Sequence, residues 1–168
     1  MKKLLLSLIC GVFILSATLC YGYLNEEFIG SKAQILFVYK AFETNAFKIS
    51  LFYEQRAEEM HQKEQAAVLL ARSDLELGME VTKGILALYT LQGVQESTSP
   101  EAANLLIGAS LDASELLVGL RERFVVRGVD IKDEEIRKVI NESIELIDNA
   151  NKAIAVLAEA TSEVLKKN

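Results

Sequence analysis

The longest regular pattern in the chain runs over residues 24–60. Apolar or small side chains recur there in steps of mostly three and four, at Phe28, Ile35, Tyr39, Phe42, Ala46, Ile49, Tyr53, Ala57 and Met60. Such spacing lines one face of an α-helix. Residues 55–65, QRAEEMHQKEQ, are polar, and Glu64 occupies the next inward position. The stripe then resumes at Ala67, Ala71, Leu75, Gly78, Thr82, Ile85 and Tyr89.

Two architectures compete over that polar interval. Its Glu, Gln, Lys, Met and Ala residues are good helix formers and no turn residue interrupts them, which argues for one very long helix over 24–92, roughly 100 Å from end to end. A reversal near His61 instead gives helices over 24–61 and 65–92. Their lengths match the two helices that follow, and four helices of similar length can bury one another's apolar faces. The length match favours the reversal. The expected fold is all-α, an up-down four-helix bundle, and the alternative is the long helix packed by a helical hairpin over 100–166.

The later boundaries carry stronger punctuation. Ser99 can cap a helix, Pro100 suits the first helical position and Glu101 adds an acid to the first turn, so a helix is expected over 100–127. Ala102, Leu106, Ala113, Leu116, Leu120 and Phe124 form the centre of its apolar arc, and Ile107, Leu111 and Val118 widen it. Arg127-Gly128 reads as a basic last turn with a left-handed glycine stop. Asp130 is the expected cap of a last helix over 131–166. Its seam is a heptad repeat: Ile136, Ile140, Ser143, Ile147, Ala150, Ile154, Leu157, Thr161 and Val164.

Ahead of the bundle, Lys2 and Lys3 precede a long apolar run, and Cys20 and Gly22 fit the small positions of a signal-peptidase site. Residues 1–22 are therefore expected to be a signal peptide or a signal anchor, leaving 23–168 as an extracytoplasmic helical bundle in a bacterial periplasm or cell envelope. If the run is retained, residues 1–24 are the expected membrane contact and the lysines stay cytoplasmic. Cys20 also permits a lipoprotein, although Ala17-Thr18-Leu19 lacks the usual small residue beside it. Both cysteines, Cys10 and Cys20, lie in this segment, so the bundle is expected to hold by packing alone.

Charge and motifs narrow the chemistry. Without Lys2 and Lys3, 16 basic residues face 24 acidic ones, a net charge of −8 that disfavours nucleic acid and anionic lipid as partners. His61 is the single histidine, and Glu58 and His61 make one Glu-x-x-His spacing where a dinuclear carboxylate site needs two. No Cys-x-x-Cys-His, Gly-x-Ser-x-Gly or phosphate loop is present, so no cofactor, metal site or catalytic residue is expected and the chain reads as non-enzymatic. Asp74 is the one acid near an inward position, read as a solvated group at the edge of the stripe.

The aromatic residues are the better lead. Phe37, Phe47 and Leu51 point away from the inward stripe, with Leu36 at its edge, and a helix that is apolar on two faces usually has two neighbours. These four residues are the candidate interaction surface, with self-association as a homodimer or a protein partner as its expected use. The expected function is an envelope scaffold or protein-interaction module. A small-molecule-binding, sensor-like bundle is the alternative, because an N-terminal apolar segment with four helices is similar in layout to the extracytoplasmic sensor domains of chemoreceptors. On that reading the bundle is expected to lack its own signalling domain and to require a separate signalling partner. A ligand reader calls for polar groups inside the seam; a scaffold calls for an apolar patch outside it.

Overall fold

The computed structural model describes the backbone of residues 2–91, 94 and 98–167, and the side chains of 26, 28–91, 94 and 98–166. Among these, four α-helices follow in order: α1 (Lys2–Arg56), α2 (Gln62–Leu91), α3 (Pro100–Asp130) and α4 (Glu134–Lys167), with a 3-10 turn at Ala57–Glu59 after α1. Each helix packs on the next and α4 closes back on α1, so the four stand in a ring as an up-down bundle. The backbone of α1 is helical from Lys2, which makes the apolar head and the first bundle helix one element. The side chains of residues 1–25 lie outside the described residues, and with them the signal, anchor and lipoprotein readings.

The chain reverses at residues 57–61, so the long-helix alternative does not hold. No glycine or proline makes this turn. Met60 adopts an extended conformation (φ −86°, ψ 141°) and its amide donates to the Ala57 carbonyl, while its side chain packs on the core. Gln65 then reaches back from α2 and donates through Nε2 to the carbonyls of Ala57 (2.5 Å) and Met60 (3.2 Å). A side chain from the following helix thus satisfies the backbone groups that the reversal exposes.

Two boundaries at the other reversal differ from expectation. Helix α3 continues through Gly128 to Asp130; position 128 faces Ile140 of α4, where a Cβ would stand 3.6 Å from Cγ2, so the glycine sits at ordinary helix packing distance and is no stop. The cap of α4 is Asp133, whose Oδ1 accepts from the amides of Glu135 (3.0 Å) and Ile136 (3.1 Å). Asp130 pairs with Lys63 instead, at 2.7 Å. Ser99 caps α3 as the sequence predicts, accepting from the Ala102 amide at 3.3 Å.

Packing positions follow heptad spacing in every helix. In α4 all nine seam residues are buried. In α1 the seam is Ser31, Ile35, Val38, Phe42, Asn45 and Ile49; Tyr39 and Ala46 lie half-buried at its flank. In α3 it is Ala103, Leu106, Ser110, Ala113, Leu117, Leu120 and Phe124, and Leu116 is exposed. Helices α1 and α2 approach closely where the Phe42 ring lies over Gly78: a Cβ there would meet Phe42 Cε2 at 3.0 Å. A larger residue there would have to push the ring aside by a few tenths of an ångström.

The core holds polar groups that bond one another. Asn45 Nδ2 donates to Ser143 Oγ at 3.1 Å, joining α1 to α4, and Ser143 in turn donates to the Val139 carbonyl. Ser110 gives its hydroxyl proton to the Leu106 carbonyl at 2.8 Å, so Tyr89 is the donor in the 2.9 Å bond between Tyr89 and Ser110. Thr161 lies 3.5 Å from the Tyr89 hydroxyl and bonds its own helix at Leu157.

Candidate interaction surface

Once the seam of α1 is satisfied by α2 and α4, its outward ridge is left exposed from 33 to 47, and only at Ser50 does it meet α2. The seam falls at 31, 35, 38, 42, 45 and 49, and the ridge opposite it at 33, 36, 40, 43, 47 and 50, again in steps of three and four. Leu36 and Phe47 lie on this ridge at 50% and 68% exposure, and Phe37 and Leu51 flank it at 65% and 39%. The four candidate residues thus form two apolar pairs about three turns apart along α1. Ile29, also exposed, extends the ridge toward the start of the bundle. Exposed apolar residues are ordinary when scattered; two aromatic rings and two leucines along one ridge are not scattered.

Between the two pairs stands an ion pair. Lys40 Nζ donates to Glu43 at 2.8 Å and lies 5.0 Å from the Tyr39 ring centroid. The Glu43 hydrogen bond raises the Lys40 ammonium above its ordinary value, so it stays charged. Lys48 reaches Glu142 of α4 at 3.7 Å and marks one border of the ridge. On the other border, Ile49, Ser50, Tyr53 and Glu54 of α1 meet Val68, Leu69 and Arg72 of α2 around an open cleft of about 220 Å³.

A second exposed apolar strip was not anticipated as an interaction surface. On α2, Leu70, Leu77 and Leu91 are exposed, with Gly84 completing the seven-residue spacing, and on α3 Leu105, Leu116 and Val126 are exposed. The signal was the width of the α3 arc, which reads in sequence as a broad core face. Helix α3 is the one helix among the described residues long and apolar enough to cross a membrane by length and composition. Core helices pass the same test, and α3 packs through its seam while Arg121 pairs with Asp148 and Arg123 with Asp74.

The chemistry-bearing side chains are spent on structure. Asp74 is buried, a correction to its reading as a solvated edge: Arg127 pairs with one carboxylate oxygen and Arg123 lies 3.4 Å from the other. Arg127 also donates to the Leu70 carbonyl at 3.0 Å, and burial lowers its guanidinium from the ordinary value. Glu64, at the inward position expected from the stripe, accepts from the amides of Lys132 (2.7 Å) and Asp133 (3.0 Å) and so closes the α3–α4 turn from α2. Arg56 pairs with both Asp133 and Glu135. Desolvation works upward on Asp133, but the bonds from Arg56 and from the Ile136 and Glu135 amides outweigh it and hold the carboxyl below its ordinary value.

His61 is exposed, and among the described residues no three His, Cys, Asp or Glu side chains gather as a metal-binding set. Compared with family models, curated proteins and solved structures, the chain matches none.

Proposed function

We propose that this chain is a non-enzymatic, exported helical bundle that serves as a scaffold or protein-interaction module of the cell envelope, engaging its partner through the outer ridge of α1. One observation carries the reading: large apolar side chains are held at positions where the bundle has no use for them, Leu36 and Phe47 on one ridge and Phe37 and Leu51 beside it. Exposing them to water is unfavourable, at roughly 25 cal/mol per Å², unless another surface covers them. Asn45, Ser143, Tyr89 and Ser110 bond one another and helix carbonyls inside the seam, which supports the module over the ligand reader.

The test places a photo-crosslinking phenylalanine analogue at Phe47 or, as a control, at Glu145 on the charged face of α4, in cells expressing the full-length chain. Discrete protein adducts at 47 and none at 145 are expected. Adduct patterns that do not differ between the two positions would overturn the reading. The N-terminal mass of the recovered chain tests export in the same sample: a species starting at Tyr23, or a membrane-bound intact chain, is expected.

A further inference from the structure

Resting on that reading, we propose that the partner is a second copy of this chain, docked antiparallel along α1 with a two-fold axis passing between Lys40 and Glu43. The outer ridge has the steps of a heptad seam: Ala33, Leu36, Lys40, Glu43, Phe47 and Ser50. Its composition is nearly mirrored about its middle. Reading outward from the centre gives a charged residue on either side, then a large apolar one, then a small one.

A two-fold contact is self-complementary: residue i meets j, and j meets i. In an antiparallel pairing centred on this ridge, Lys40 meets Glu43 of the second copy and Glu43 meets its Lys40. Leu36 meets Phe47 in both outer layers, with Phe37 and Leu51 covering the sides. A parallel pairing would set lysine on lysine and glutamate on glutamate at the centre of an otherwise apolar contact, which is unfavourable. The charges therefore select both partner and direction. The strip on α2 and α3 carries no such pattern along Leu70, Leu77, Gly84 and Leu91, so nothing there fixes an orientation.

The contact is one helix wide, which places it at the small end of protein interfaces, below roughly 1,200 Å², and a dimer of micromolar strength is expected. The experiment uses the full-length chain with Cys10→Ser and Cys20→Ser, in detergent, read by native mass spectrometry and sedimentation. Lys40→Glu alone and Glu43→Lys alone are each expected to weaken self-association at least about tenfold, while an equimolar mixture of the two recovers it as a heterodimer. For direction, Leu36→Cys mixed with Phe47→Cys is expected to give a mixed disulfide on oxidation, and Leu36→Cys alone is not.

A strict monomer at 100 times the expected dissociation constant, roughly 100 μM or more, would overturn the proposal, as would self-linking of Leu36→Cys or indifference to both charge variants. Far-UV circular dichroism of each variant confirms that the bundle is intact. If the proposal fails while Phe47 still crosslinks discretely to a different protein, the interaction module stands and only the second copy is lost.

Discussion

Where α1 turns into α2 and α3 into α4, the bundle is closed by charge. Arg56, Lys63 and Glu64 reach from the first reversal to Asp133, Glu135, Asp130 and two backbone amides of the second, and Asp74 with Arg127 seals the layer beneath. At the opposite end the same helices meet through Phe28 and Tyr89, whose ring centroids lie 5.7 Å apart, and through the hydroxyls of Ser110 and Thr161. The charged end braces two loops that make no sheet and contain no disulfide. The aromatic end needs only to hold helices already set by their seams. Charge appears where backbone groups lack partners, and hydroxyls where a helix carbonyl is within reach.

That contrast orders the expected losses of stability. Asp74→Ala should do most damage, about 3 kcal/mol in a denaturant titration, because it takes the carboxylate from the half-buried Arg127 guanidinium and leaves it only the Leu70 carbonyl. Glu64→Ala should follow at about 2 kcal/mol, since the amides of Lys132 and Asp133 lose their acceptor, and hydrogen exchange should quicken at 131–136 before it does in α2. Tyr89→Phe should lose about 1 kcal/mol, because Ser110 keeps its bond to the Leu106 carbonyl. A Tyr89→Phe loss larger than that of Asp74→Ala would break the contrast.

The smallest effect is set by pH. Asp133 has a folded pKa below its unfolded value near 3.8, so its contribution is present above that value and is lost as pH falls through the depressed one. Asp133→Asn can still cap α4 but loses the charge. The variant should melt below the wild type at neutral pH and converge on it under acid. A gap that stays constant down to pH 2 would assign the effect to something other than charge.

How far the sequence could be read depended on whether a helix has a polar back. Helix α4 is charged outside, so its nine seam positions stand out by period alone and all are buried. Helices α1 and α3 are apolar on more than one side, and there the phase slips by a residue: Val38 for Tyr39, Leu117 for Leu116. Asn45 and Ser110 were invisible because a polar residue in a seam shows its partner only in three dimensions; Ser143 is 98 positions away from Asn45. The turn at residues 57–61 was legible only from helix lengths, because Gln65 does the work usually assigned to glycine. The same ambiguity that hid the seam of α1 exposed its ridge, since Leu36, Phe37, Phe47 and Leu51 were identified as the residues a single neighbour could not cover.

The seat of the Phe42 ring over Gly78 bears on how the first hairpin answers force. Two smooth helices pulled lengthwise can slip past each other one turn at a time. Here a slip of one turn in either direction would drive the ring against Asp74 or Thr82, both buried and both carrying a Cβ. A pull along α1 is therefore passed to α2 in shear, and the pair is expected to part sideways before it slides.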